Sequence, residues 1–212
     1  VELGRRIYDN LKKAIRYIVS IHVPIISVVL FPAVFGWDYV TLFTPVHVIF
    51  LELLMGPTCS IVFENEPVEE SSMNRRPRKF SLTFFNWKEL AISLLQGAVI
   101  AALLLVIVKY SINRDLGESF ARTLVFVTLV FSNIVLTLTG RSTERSMLTT
   151  LRYRNRLVPG VILLTLLLLS LSLYWPWLRS IFGFVIISPE TLLYCLGLAI
   201  SGVVWIEFRK RC

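Results

Sequence analysis

One carboxylate stands inside an apolar run. Glu52 lies within VHVIFLELLMGPTCSIVF, Val46 to Phe63, three residues before Met55-Gly56-Pro57. An ionisable group at that depth is costly in hydrocarbon, so such residues face a bundle interior or a wet cavity and mark ion or substrate paths. Pro57 has no N–H to offer the Leu53 carbonyl, and its ring displaces that carbonyl. Irregular backbone at membrane depth persists only where protein buries it or it lines a cavity, as in the broken helices of transporters. The Leu53 carbonyl therefore joins Glu52 as a candidate cation ligand. A second break lies upstream, where Pro24 withdraws the hydrogen bond due to the Ser20 carbonyl beside His22. A third polar position is Asn133, next to Ser132, with Thr137 one turn further on and Thr128 one turn before Ser132.

Carboxylate, amide, hydroxyl and freed carbonyl oxygens suit a hard cation. A carboxyl group desolvated without a cation favours its neutral form, so Glu52 is expected to exchange a proton for the ion. For His22 and Glu52 to share a site, the first span must start before Tyr17 or tilt strongly. At about 1.5 Å per residue the two otherwise sit at different depths. Hydrogen-bond glue between helices is the plainer reading of Asn133.

The elements that position these residues are membrane helices. The 212 residues are 55% hydrophobic and 17% charged, against about 25% charged in soluble domains. Six apolar runs are long enough to cross a bilayer. They are Tyr17 to Phe35, Val46 to Phe63, Leu90 to Val108, Phe120 to Leu138, Leu157 to Tyr174 and Pro189 to Phe208. The fold class expected is an all-α membrane protein, a six-transmembrane-helix bundle with two proline-interrupted helices. Residues 1–16 form a basic lead-in helix, 17–208 the transport domain and 209–212 a tail.

The net charge of +8 is distributed by side. Only Lys109, Arg114, Arg122 and Arg179, of 22 basic residues, fall on one side of the six spans. The positive-inside rule places the other side, with both termini, in the cytoplasm. That accounts for the basic balance without nucleic acid. Cys59, Cys195 and Cys212 lack metal-ligand spacing and read as packing residues. There is no glycine-rich phosphate loop and no clustered nucleophile, so no catalytic residue or cofactor site is expected here. The polar lead before the first run is unlike a signal peptide and suggests a piece of something larger.

The remaining segments have simpler expected roles. The loop from Glu64 to Glu89 opens acidic and turns basic, as a docking surface or a solvated linker would. The third span reads as scaffold. Tyr174-Trp175-Pro176-Trp177 ends the leucine-rich fifth span as an interfacial belt. Gly197, Ala199, Ser201 and Gly202 in the sixth suit close helix packing.

With these pieces placed, the chain resembles the C-terminal membrane half of P-type cation-transporting ATPases, especially the calcium-pump group. Gly4-Arg5-Arg6-Ile7-Tyr8-Asp9-Asn10-Leu11-Lys12-Lys13 is similar to the segment entering that family's fifth membrane helix. Pro57-Thr58-Cys59-Ser60, then Glu66-Pro67, Met73 and Arg75-Arg76-Pro77-Arg78, resembles the end of the sixth helix and its following loop. Ala121-Arg122-Thr123 and Arg141-Ser142 resemble the two ends of the eighth. The resemblance implies that these three helices supply oxygens to the transported ion. His22 then stands where a liganding Asn is common, and Pro24 and Ile25 where Gly and Glu are. Gly56 is the counterpart of an expected Asp, and Asn133 of a Glu or Gln. Calcium is the cation favoured. ATP and Mg would be bound by actuator, phosphorylation and nucleotide domains in the N-terminal part of the same pump, which would also supply four further membrane helices as partners alongside the lipid bilayer. The expected location is a bacterial plasma membrane. A secondary transporter or channel module, or a pump-like domain that no longer transports, are the other readings.

Overall fold

The computed structural model describes residues 2–39, 41–68, 87–142, 147–150, 155 and 157–210, and every regular element among them is helical. The elements are α1 (Glu2–Val34), α2 (Pro45–Pro57) continuing as a π-helical segment (Thr58–Phe63), α3 (Trp87–Asn113), α4 (Glu118–Gly140) and the single turn α5 (Met147–Thr150). They are followed by α6 (Leu157–Tyr174), the short α7 (Pro176–Phe182) and α8 (Pro189–Lys210). Six of these stretches are long and apolar enough to span a bilayer, and they coincide with the six runs read from sequence. Their outward faces carry large apolar side chains such as Ile49, Val106, Leu163 and Leu193. An apolar exterior of this extent marks an integral membrane protein.

The lead-in and the first span are one helix. α1 runs 33 residues, about 50 Å at 1.5 Å per residue, and passes through both Pro24 and Pro32 without ending. Pro24 interrupts the hydrogen-bond ladder, and α3 covers the gap. Gly97 brings α3 so close that a Cβ there would stand 2.7 Å from the Ser20 carbonyl oxygen and 2.7 Å from Val23 Cβ. Ser20 Oγ also donates to the Ser93 carbonyl at 3.1 Å. The third span is thus more than scaffold, because it seals the defect in α1. α1 packs chiefly on α3.

α4 is the central post. It is 72% buried along its apolar window, against 28 to 44% for the other five spans, and α1, α3, α6 and α8 all pack on it. Val125, Phe126, Leu129 and Val130 meet Leu104 and Val108 of α3, Ile21 and Val28 of α1 and Val203 of α8 in one cluster. In lipid such packing is held by dispersion and hydrogen bonds, since the tails are as apolar as the side chains. On α8, Ala199 and Gly202 face this core, and a Cβ on Gly202 would reach 2.6 Å from Leu103. Gly197 and Ser201 face outward, so only half of the expected small-residue face is used.

The end of the bundle with few basic residues is closed by two fastenings. His47 is 1% exposed and ringed by Phe43, Phe126, Phe182 and Phe184. Its Nδ1 accepts from the Thr44 N–H at 3.2 Å, which leaves Nε2 to donate to the Phe182 carbonyl at 2.9 Å. Arg122 at the start of α4 donates to the Leu42 carbonyl at 2.8 Å, the Thr41 carbonyl at 3.2 Å and Glu118 at 2.5 Å. Gly183, with φ +59°, ends α7 in the left-handed region where only glycine is unstrained. A Cβ there would also strike Arg122 Nη1 at 2.7 Å.

Gly97→Ala is expected to force α1 and α3 apart and destabilise the protein by about 1–3 kcal/mol, whereas Gly160→Ala, which faces open space, should be neutral or gain up to about 1 kcal/mol. Thermal unfolding of the two variants in detergent checks the contrast.

Candidate functional site

α1 and α2 bring His22 and Glu52 together. His22 Nε2 lies 3.0 Å from Glu52 Oε1, and Nδ1 lies 2.8 Å from the Ile18 carbonyl oxygen one turn back. A carbonyl only accepts, so Nδ1 carries a proton. A hydrogen bond between Nε2 and the carboxyl group then needs one proton more, held as imidazolium against carboxylate or as neutral imidazole against carboxylic acid. The depth conflict between the two residues disappears because α1 begins at Glu2 and not at Tyr17.

Glu52, Leu53 and Gly56 occupy the outward face of α2. Pro57 leaves the Leu53 carbonyl without its usual donor. The Gly56 carbonyl accepts from Ser60 Oγ at 2.7 Å. The helix does not unwind at Met55-Gly56-Pro57. The Thr58 N–H turns back to the Met55 carbonyl, and the chain widens into the π-helical Thr58–Phe63. Extra residues in a turn of this kind absorb the missing bond and recur at functional sites.

Asn133 belongs to a separate, inward cluster. It is 3% exposed, and its Oδ1 accepts from the Tyr17 hydroxyl. The hydroxyls of Thr58 and Thr137 also face that phenol, and the Tyr17 ring packs on Phe63 at 5.3 Å between centroids. Tyr17 lies five residues before His22 on α1, about 7.5 Å along the axis. The structure therefore joins His22, Glu52, Leu53 and Gly56 on the outward face and sets Asn133 one step inward. Among the described residues no three His, Cys, Asp or Glu side chains converge on one point. Cation binding would draw on amide, hydroxyl and backbone oxygens beside the single carboxylate.

Sequence reasoning missed the most buried ion pair. Glu66 and Arg141 are 2% and 3% exposed, with Nε to Oε1 at 2.6 Å. Asn155 donates to the same Oε1 at 3.0 Å and to the Val62 carbonyl at 3.1 Å. The Glu66 carbonyl accepts from Asn10 at 2.9 Å and Arg6 at 3.0 Å. One residue thus ties together the start of α1, the end of the π-helical segment, the end of α4 and the start of α6. Glu66 is no part of a solvated acidic surface, which corrects that expectation for this residue. The rest of the loop, residues 69–86, lies outside the described residues. Glu66-Pro67 and Arg141-Ser142 were visible only as segments of a family resemblance, because a carboxylate among other carboxylates reads as solvated.

Comparison with known proteins decides what kind of molecule this is. The profile of the family described as "Cation transporting ATPase, C-terminus" matches residues 40–212. The chain belongs to the cation-transporting ATPase C-terminal family. It is 28% identical over 213 residues to "Calcium-transporting ATPase 1" of Lactococcus lactis, covering 99% of this chain and 24% of that protein. It is 27% identical over 203 residues to a calcium-transporting ATPase of Bacillus subtilis, covering 94% and 22%. A human relative, "Calcium-transporting ATPase type 2C member 1", is 22% identical over 218 residues, covering 100% and 23%. The chain spans about a quarter of the length of these curated relatives. The resemblance to P-type pumps of the calcium group is thereby supported over nearly the whole chain. Within this cation-transporting ATPase domain the family profile includes Glu52, Glu66, Asn133 and Arg141. The relatives extend the match through α1, and so to His22 and Asn10.

Glu66→Gln leaves the Arg141 charge buried without its counter-ion and is expected to cost about 3–5 kcal/mol, while Glu66→Leu combined with Arg141→Met should recover much of that loss. Folded yield and thermal stability of the single and double variants provide the check.

Proposed function

We propose that the chain is the membrane transport domain of an ATP-driven cation pump, and that His22 and Glu52 form a site exchanging a proton for the transported ion. The observation that carries the reading is the 3.0 Å contact between His22 Nε2 and Glu52 Oε1 beside the break at Pro57. The proton that closes this contact has to leave before the carboxylate can take a cation. Leu53 and Gly56 then contribute carbonyl oxygens from the same face, and Asn133 an amide oxygen from the inward cluster. Calcium is the favoured ion, from the names of the relatives and from the carboxylate, amide and carbonyl oxygens beside His22. Calcium takes 6–8 oxygens, more than this face supplies, so water or other parts of the pump complete the shell.

His22 and Glu52 are 38% and 52% exposed at their side chains. A polar pair left outward at membrane depth is costly, so a further protein surface covers it. The N-terminal part of the same pump fits that role, given relatives four times as long. It would also hold the ATP and Mg and the phosphorylation chemistry, leaving these 212 residues inactive alone. The concentration of basic residues at the end where α1 begins and α8 ends supports a topology with both termini in the cytoplasm, and the bacterial relatives support a bacterial plasma membrane. A second reading, a pump-like domain that no longer transports, is favoured by Gly56 standing where the resemblance expects an aspartate.

Vanadate-sensitive ATPase activity of the purified full-length protein, against calcium, manganese, magnesium, sodium and potassium, separates the two. The expected result is stimulation by calcium that Glu52→Ala abolishes. Apparent affinity should rise with pH, up to about tenfold per unit while the pair still holds its proton, and Glu52→Gln should flatten that dependence. Activity indifferent to every cation and to both substitutions would make Glu52 structural.

A further inference from the structure

Between α1, α3, α4 and α8, at the end of the bundle rich in basic residues, lies a cavity of about 200 Å³. Its polar lining is one-sided. Lys13, Arg16 and Gln96 contribute N–H donors, and none of the lining residues is a carboxylate. Three of the lining hydroxyls are directed elsewhere. Ser20 donates to the Arg16 and Ser93 carbonyls, Thr139 to the Val135 carbonyl and Tyr17 to Asn133. Gln96 is 7% exposed, and its amide nitrogen is enclosed without a hydrogen-bond acceptor. A buried amide donor left unmade is destabilising and calls for an occupant.

We propose that this cavity binds a phosphate-bearing anion. Lys13 and Arg16 have other contacts as well, but ammonium carries three N–H donors and guanidinium five, more than one partner uses. The carbonyl end of α4 at Gly140 lies on one wall and opposes an anion with roughly half an elementary charge, less than a single cationic side chain carries. Position narrows the source. The lining comes from α1 near Lys13, the end of α4 and the last turns of α8, where these helices leave the hydrocarbon. That is the level of lipid phosphates, and basic pockets between spans on the cytoplasmic side suit anionic headgroups. Phosphate oxygens accept from guanidinium, ammonium and amide at once, with charge-assisted bonds about twice as strong as neutral ones. A site here would pin α1 to α4 and α8 on the side of Tyr17 away from the outward face of α2.

The test uses the full-length protein and needs no transport activity, so it stands or falls independently of the pump reading. Thermal unfolding and native mass spectrometry are compared in phosphatidylcholine vesicles, in phosphatidylcholine with phosphatidylglycerol, and in detergent with inorganic phosphate. The expected result is retained anionic lipid and a raised melting temperature in the mixed vesicles, with affinity reduced about tenfold or more by Gln96→Leu and further by Gln96→Glu, which is isosteric and places a negative charge in the site. Saturable stabilisation by inorganic phosphate, equal to that by lipid and lost in the same variants, would assign the site to free phosphate. Without a bound anion, Gln96→Leu removes an orphaned amide and should stabilise the protein in every medium. That outcome, or lipid retention unaffected by Gln96→Glu, would overturn the proposal and leave the cavity to water.

Discussion

Glu66 and Arg141 meet where water is excluded, and the ends of four helices depend on the meeting. A buried pair of this kind adds little net stability over a hydrophobic replacement, because desolvation consumes most of the attraction. What it supplies is position. Arg6 and Asn10 read the Glu66 backbone carbonyl, while Arg141 and Asn155 read its carboxylate. α1 is thereby fixed to the far end of the helix that carries Glu52, and α4 is fixed to both. Any sliding of α1 along its axis must therefore carry the end of the π-helical segment with it or break the Arg6 and Asn10 hydrogen bonds to the Glu66 carbonyl.

The two histidines show how location decides chemistry. His47 has both ring nitrogens committed to backbone groups within a ring of aromatic side chains, so one neutral tautomer satisfies it fully and it serves as a fastening. His22 commits only Nδ1 to the backbone and turns Nε2 toward a carboxyl group. That second contact is satisfied only by an additional proton. The same side chain is held wholly by backbone groups in one place and reaches a carboxyl group on a neighbouring helix in the other.

Spans were legible in the sequence because lipid imposes length and composition on them directly. Glu52 and His22 were legible for the same reason, since polarity in an apolar run has few innocent explanations. Their contact was not, because the start of α1 is basic and looked like a lead-in, whereas it is the first half of one helix. The central role of α4 was also hidden. Phe126, Leu129 and Val130 are unremarkable in a list of apolar residues, and only the placement of four neighbours around one helix makes them a core. Arg122 and Glu66 were counted as charges on one side or another, since sequence carries no sign that a charge near a span end will be drawn under its neighbours. Gly97 gave no signal at all, because its function is to be absent where the Ser20 carbonyl needs room.

The π-helical segment lies between the outward pair and the buried ion pair, and this order has a physical consequence. Glu52 sits above Pro57, Glu66 sits below Phe63, and Thr58 faces Tyr17 from within the widened turn. An ordinary helix joining two anchored points would transmit rotation rigidly. A π-helical turn carries one residue too many for α-geometry, and conversion between the two turns the helix on one side relative to the other at small cost in hydrogen bonds. With Glu66 held by Arg141, such a conversion would turn the face of Glu52 and not the anchored end. The Tyr17–Asn133 bond is placed to report it, since Thr58 would leave the phenol as Glu52 moved against His22.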